Sequence, residues 1–364
     1  MIIQIEPWID KEEMDALGRV VESTFVTEHK LTAEFEAVTR QFTQSAHAIS
    51  ICNGTMALFC CLRAMGIGQG DEVIVPDLTF IATANAVILA GAKPVLCDID
   101  PKSLGIAPDK IIPLINSRTK ALLPVHLYGF TADMPAVMDI ARTHKLFVIE
   151  DAAQAVGVHL NEKHAGTFGD AGVLSYYGNK TVTCGEGGIV LTGNDQIARD
   201  VYRLKNHGRD AKGVFMHEHI GFNFSFTEMQ AAIGLSQMKK LPQIIKKKSE
   251  IDAYYRQSLS GNGDISFYNP PPGCEPVSWF TSIITGSCDT LAKHLKKNNI
   301  QTRRFFYPLH LQPCYRNNPG SAGNIDGSFP ASTAAYENSL SLPSSYALTT
   351  EQQNTVIQSI KDFF

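Results

Sequence analysis

Lys180 stands inside "SYYGNKTVTCGEGG", residues 175–188, between an aromatic strand end and a turn holding Gly185, Gly187 and Gly188. A surface lysine has no need of such framing. A lysine that must be uncharged, rigidly aimed and close to a flat ring does. Three further stretches carry residues of the matching kind. "VIEDAAQAVG" (148–157) ends an apolar run in two acids, so that Asp151 falls at the carboxyl end of a strand, where α/β sheets bind ligands. Gln154, three residues on, is expected to share a face of a starting helix and to reach a ring oxygen. "ICNGTMALF" (51–59) reads as a strand end, an Asn53-Gly54 turn and a helix beginning near Thr55. The free N–H groups of that first turn, with the Thr55 hydroxyl, make a phosphate site that needs no basic residue. Finally, "PDLTF" (76–80) carries Phe80 just beyond a strand.

Each piece has a plainer reading: a solvated lysine, a capping or salt-bridged aspartate, an ordinary helix cap. Their conjunction at the strand ends of one sheet is what points to chemistry. Together they are the parts that hold pyridoxal 5′-phosphate. The lysine forms the Schiff base, the aspartate keeps the pyridinium protonated, and the helix terminus holds the phosphate. A lysine beside a protonated pyridinium has its charged form disfavoured, which brings proton transfer within reach near neutral pH. Ser175 and Asn179 flank Lys180 as phosphate or backbone partners, and Glu186 reads as a turn residue.

The elements that position these residues alternate. Strands are expected at 48–51, 72–76, 93–99, 121–126, 146–151, 171–177 and 187–193, several of them nearly continuous apolar runs, as in strands covered on both faces. Helix-length segments such as "TMALFCCLRAMG" and "DMPAVMDIARTHK" lie between them. This alternation predicts an α/β fold with a large, mostly parallel sheet. Residues 227–259 read as a long helix, or as two joined near Pro242. Beyond about 265, proline and glycine clusters among short strands, with a final helix after Thr349, mark a smaller α+β domain. The expected division is a large domain over 1–240, its first 20 residues an N-terminal arm, and a small domain over 241–364.

Bulk properties exclude other classes. The chain has 364 residues, 44% hydrophobic and 19% charged, with 32 basic against 36 acidic residues and a formal net charge of −4. No basic excess argues for nucleic acid or an anionic membrane as partner. The first fifteen residues carry acids and no long apolar run, so neither a signal peptide nor a membrane span is expected there. The eight cysteines show no metal-type pairing, and no metal site is expected. They read as reduced, buried thiols of a cytoplasmic protein. "GIGQG" (66–70) follows a helix and precedes a strand, the reverse of the dinucleotide fingerprint.

The stretches "SYYGNKTVTCGEGG", "EDAAQA", "NGTMAL", "PVHLYG", "GFNFSFTEMQAAIG", "TRRFFYPLHLQPCY" and "LSLPSSYALTTEQQ" resemble the sugar aminotransferases of the DegT/DnrJ/EryC1/StrS family over nearly the whole chain. The resemblance implies the fold type I of pyridoxal-phosphate enzymes, with a seven-stranded sheet, and a homodimer with shared active sites. It implies Lys180 as Schiff-base lysine, Asp151 as pyridine partner, Gln154 at the ring hydroxyl and Phe80 stacked on the ring. Thr55, Met56 (through its N–H) and Ser175 would hold the phosphate, with Asn223 reaching it from the second subunit. His310, in "YPLH", would lie near the sugar; Tyr177, Asn179 and Arg303 complete the expected substrate contacts. The implied donor is L-glutamate. The implied acceptor is a keto sugar: a nucleotide-linked 4-keto-6-deoxyhexose, as in the perosamine-forming type, or an oxidised sugar without a nucleotide, such as an 8-oxo-octulosonate. A branch of the family with histidine for the lysine dehydrates sugars; Lys180 favours amino transfer over that and over a sensor without turnover. One departure is Ser225-Phe226, where the family usually carries Arg-Met. Arg304 and the Lys246–Lys248 run are further candidates for an anionic substrate group, the lysines reading rather as a solvated helix face.

Overall fold

A computed structural model describes every residue of the chain except Lys212, Val214 and Pro319. Seven strands form the central sheet in the order β1-β9-β8-β5-β4-β2-β3. They are β1 (His47–Ile51), β2 (Glu72–Pro76), β3 (Lys93–Cys97), β4 (Thr119–Leu122), β5 (Phe147–Asp151), β8 (Ala171–Ser175) and β9 (Gly188–Thr192). A small hairpin, β6 (His159–Leu160) and β7 (Lys163–His164), interrupts that series. Strands β3, β2, β4, β5 and β8 pair in parallel, and β9 runs antiparallel between β8 and β1. Every residue of β2, β8 and β9 is buried, which is why their sequences are nearly continuous apolar runs, with polar residues only at their ends, rather than alternating ones.

Helices cover both faces. Those before β5 are α1 (Lys11–Ser23), α2 (Lys30–Thr43), α3 (Gly54–Ala64), α4 (Ala82–Leu89), the short α5 (Pro108–Ile111) and α6 (Met134–His144); α7 (Asp195–Lys205) and α8 (Glu228–Leu259) follow β9. One apolar cluster joins α3 and α4 to the sheet through Leu58, Leu62, Val75 and Val190. Another packs α2 and α8 against the opposite face through Phe35, Tyr176, Phe226 and Leu241. Helix α1 is started by a capping box between Asp10 and Glu13 and docked on α8 through a Glu13–Lys240 ion pair at 2.7 Å.

Residues 227–259 form one helix, with Pro242 inside it and a Thr227–Gln230 capping box at its start. Beyond α8, four short strands pair antiparallel as a second sheet spanning Ser266–Ser341. The end of α8, the helix Cys288–Lys297 and the final helix Thr350–Lys361 pack on that sheet through Tyr255, Leu291, Leu340 and Val356. Strand β4 stops short of the expected 126. Pro124 has no N–H to give the ladder, although its carbonyl still accepts from Asp151 N at 2.9 Å and His126 N donates to Asp151 O at 3.0 Å.

Candidate active site

Asp151 is the last residue of β5 and is buried at the carboxyl end of the parallel strands. One carboxylate oxygen accepts the Thr83 hydroxyl at 2.7 Å, and Thr83 in turn touches the Thr79 hydroxyl at 2.8 Å. The other oxygen accepts Ala153 N at 3.2 Å. That bond closes a turn, and no helix follows Asp151. Gln154 is therefore held by the turn rather than by a helix face. It is buried, and its side-chain oxygen accepts Tyr128 N at 2.9 Å.

Lys180 closes a turn, its N–H donating to Tyr177 O at 2.9 Å. Its Nζ sits over the Trp279 ring, 4.3 Å from the centroid. Burial brings the amine down to about 8 from 10.5; Arg303 pushes the same way and Asp151 opposes it. The expectation of an amine near neutrality is met by desolvation first, before any cofactor charge is added. Asn179 contributes its carbonyl to the Trp279 indole N–H at 2.7 Å. Tyr177 is half exposed, and its N–H lies 3.4 Å from the Ser175 hydroxyl.

The anion cradle forms where α3 begins. Asn53 caps the helix, and its side chain accepts Met56 N at 2.9 Å. The Met56 N–H is thus engaged by the cap, leaving Gly54 and Thr55 as the first turn beside the Ser175 side chain. A Cβ on Gly54 would meet Ser175 Cβ at 3.3 Å. A Cβ on Gly188 would come within 2.7 Å of the Asn53 backbone, so this glycine lets the strand and the helix start approach closely. Gly185 (φ 81) makes the turn itself. A helix terminus with a hydroxyl beside it, a buried acid at the neighbouring strand end and a desolvated amine fit the phosphate, ring nitrogen and aldehyde of pyridoxal 5′-phosphate. Phe80, 52% exposed and 5.6 Å from the Phe306 ring, presents an open aromatic face on the same side.

The remaining candidates separate. His310 is buried and bound twice by the buried Asp77: its N–H and its Nδ1 each lie 2.7 Å from a carboxylate oxygen, and its ring stacks on Phe329. Arg303 is exposed, with its guanidinium over the Phe280 ring and close enough to act on Lys180. Arg304 is not available for a substrate: it pairs with Asp289 and donates to the carbonyls of Tyr336 and Glu337. The lysine run is not uniformly solvated either. Lys246 is exposed, but Lys248 is buried, with Nζ 3.0 Å from Trp279 O and 3.4 Å from Ser344 O. Asn223 is exposed and accepts Ser225 N at 3.3 Å. Phe226 is core, fully buried and stacked on Phe35 at 5.6 Å. Phe226, where the family usually carries methionine, therefore changes packing, while Ser225, where the family usually carries arginine, is half-buried beside Asn223. Of the segment 207–219, rich in histidine and charge, Lys212 and Val214 lie outside the described residues, while Phe215 and Met216 are largely exposed.

Sequence reasoning missed Thr83, Asp77 and Trp279, and placed Lys248 on a solvated helix face. Trp279 carried a signal, being one of two tryptophans in the chain. The eight cysteines are free thiols, most of them buried, but Cys314 is exposed. Among the described residues no histidine, cysteine or acid cluster is arranged to hold a metal, and no helix is long and apolar enough to cross a membrane.

The profile of the DegT/DnrJ/EryC1/StrS aminotransferase family matches residues 7–361. The chain is 36% identical to a GDP-perosamine synthase of Vibrio cholerae, over 100% of this chain and 99% of the other. It is 38% identical to a GDP-perosamine synthase of Caulobacter vibrioides, over 85% of each. Among solved structures, DesV of S. venezuelae, crystallised with a ketimine intermediate, superposes with a TM-score of 0.92 at 32% identity, covering 99% of both chains.

Proposed function

Because the chain belongs to the DegT/DnrJ/EryC1/StrS aminotransferase family, we propose that it moves the amino group of L-glutamate to a nucleotide-linked 4-keto-6-deoxyhexose. It is a pyridoxal-phosphate-dependent transaminase. The observation that carries the reading is Lys180: a desolvated amine in a glycine-framed turn, acted on by Asp151 from the end of a neighbouring strand. The names of the two perosamine synthases, together with identities of 36% and 38%, favour a GDP-linked sugar over one without a nucleotide. Dehydration and ligand sensing without turnover are not favoured.

Bound, the cofactor supplies an electron sink for the bond that breaks at the substrate carbon. Asp151, held by Thr83, would keep a ring nitrogen protonated. Lys180 would carry the cofactor and, once its amine is free, move the proton between substrate carbon and cofactor. Thr55, Ser175 and the first turn of α3 would receive the phosphate; Met56 would join through its N–H only if the Asn53 cap opens. Gln154 and Phe80 would set the plane of the ring. Asn223 would complete the phosphate site of a second copy, making the working unit a homodimer. Tyr177, Asn179, Arg303 and His310 would face the sugar, Arg303 supplying a cation for an anionic substrate group. We take residues 1–240 as the cofactor domain and 241–364 as the smaller one, α8 joining them. The setting that suits this chemistry is cytoplasmic synthesis of an amino sugar for a surface polysaccharide such as lipopolysaccharide.

The test is the visible spectrum of the purified protein before and after L-glutamate, with Lys180→Ala alongside. A yellow protein that bleaches with the donor, and a variant that does neither, supports the reading. A colourless protein that cofactor cannot reconstitute overturns it. Keto sugars with and without GDP then decide the acceptor.

A further inference from the structure

Trp279 comes from a segment a hundred residues beyond the lysine turn, yet it is tied to that turn twice. Its indole N–H donates to the carbonyl of Asn179 at 2.7 Å, and its ring face lies under Lys180 Nζ at 4.3 Å from the centroid. The ring is 3% exposed, and the backbone that carries it is fixed at both polar groups. Its N–H donates to Tyr128 O at 3.2 Å, and its carbonyl accepts Lys248 Nζ at 3.0 Å. Tyr128 in turn donates its own N–H to Gln154 at 2.9 Å. A tryptophan anchored this firmly is not filling space by chance. Its face is offered to one ammonium, and the electron-rich face of an indole is the best aromatic partner for a cation.

An aminotransferase that carries its cofactor on a lysine must release that amine in the donor half-reaction and recover it only at the end of the acceptor half-reaction. A released amine that swings into solvent costs side-chain entropy to bring back. We propose that Trp279 is a positioning residue for Lys180: its ring receives the free ammonium while the amine is off the cofactor, and its bond to Asn179 keeps the lysine turn in register for the return. The proposal rests on the reading of Lys180 as the cofactor lysine. It deepens that reading by naming where the lysine waits.

Two consequences differ from those of a merely structural tryptophan. The indole must sense the charge of Lys180, and the lysine must lose part of its preference for the ammonium when the ring is removed. The other charged groups acting on Lys180 are Asp151, which favours the ammonium, and Arg303, which opposes it.

The experiment is 19F NMR of the full chain labelled with 5-fluorotryptophan, in the pyridoxamine-phosphate form and without cofactor. The Trp279 resonance is assigned by its loss in Trp279→Phe. The expected result is a Trp279 resonance that titrates with a midpoint near the amine's value of about 8, while Trp8 stays still. Lys248, bonded to the Trp279 carbonyl at 3.0 Å and also lowered to about 8, is a second source of titration. In Lys180→Met the change should therefore shrink to what Lys248 contributes, and in Lys180→Met with Lys248→Met it should vanish. In Lys180→Arg the resonance should stay at its low-pH position apart from the Lys248 contribution. A Trp279 resonance indifferent to pH, or one that titrates equally in Lys180→Met, overturns the proposal. As a second measurement, acetylation of Lys180 is followed by mass spectrometry across pH in the wild type, Trp279→Phe and Trp279→Leu. The leucine variant should shift the reactive midpoint downward by a factor of roughly two to thirty in proton affinity, the range of a cation–π contact, and the phenylalanine variant by less. Unshifted midpoints in both variants would remove the ring from any role at the amine. Loss of yellow colour in the wild type would instead count against the cofactor reading, so the two failures are separable.

Discussion

The imidazole of His126 and the carboxylate of Glu150 are both fully buried and meet at 2.8 Å. Glu150 also accepts the backbone N–H groups of Gly166, Phe168 and Gly169 at 2.6–2.8 Å. Its sequence neighbour Asp151 faces the other way, as successive strand residues must, and meets Thr83. Two adjacent acids thus have different work. Glu150→Gln puts an amide among four donors and should cost about 3–5 kcal/mol of stability, read as a lower denaturant midpoint. Asp151→Asn should fold normally and bind cofactor, but lose roughly 10²-fold or more in turnover. Near-normal turnover in Asp151→Asn would refute its role.

The pH profile follows from the Lys180 amine, which burial lowers to about 8. As a base it must be neutral, so the rate of the L-glutamate half-reaction at saturating donor should rise with pH, tenfold per unit, and level off above about 8. Stopped-flow bleaching measures it. A rate flat between about pH 6 and pH 8 would mean that another group moves the proton.

Asp151 and Lys180 were legible because their surroundings are local: an apolar strand running into acids, and glycines two to eight residues from the lysine. The strand series was legible because buried parallel strands are nearly continuous apolar words. What stayed hidden depends on distant pairing. The Asn179–Trp279 bond joins residues 100 apart. Lys248 looked solvated because two lysines precede it, and only the packing of α8 against residues 279 and 344 makes it a buried cation. Gln154 was expected on a helix, but the Asp151 carboxylate caps a turn there instead. The Met56 N–H was expected to be free, but the Asn53 side chain had the shorter reach.

Gly129 lets the Tyr128 turn touch the segment that carries Trp279. Its φ is 94, and an added Cβ would fall 2.0 Å from Val277 O. Gly129→Ala must push that segment away and should cost roughly 2–4 kcal/mol, with a red shift of Trp279 emission as the ring loosens. An unchanged midpoint and spectrum would show that the backbone yields more cheaply than this contact implies.

His310 is aimed by Asp77 through two short contacts and has no bond to the Lys180 turn among the described residues. A side chain fixed this way should matter to the acceptor rather than to the donor. His310→Ala is expected to leave bleaching by L-glutamate within about threefold and to slow amination of the keto sugar roughly ten- to a hundredfold. Equal losses in both half-reactions would move His310 from the sugar to the shared proton path.

Lys248 offers the clearest link between burial and stability. Among the described residues it has carbonyl partners but no acid, and burial alone lowers its amine to about 8 from 10.5. Below about 8 both the folded and unfolded chains hold the proton, and the folded state bears the whole cost of a buried cation. Between about 8 and 10.5 the unfolded chain binds more protons, so stability must rise with pH. The gain attributable to Lys248 is up to about 3 kcal/mol. Lys248→Met removes the titrating group, so urea unfolding of the wild type should gain on the variant as pH rises from about 7.5 to about 10. Parallel stability curves would mean that the ammonium is stabilised in the fold as well as it is in water. The carbonyls of Trp279 and Ser344 would then be stronger partners than their distances suggest.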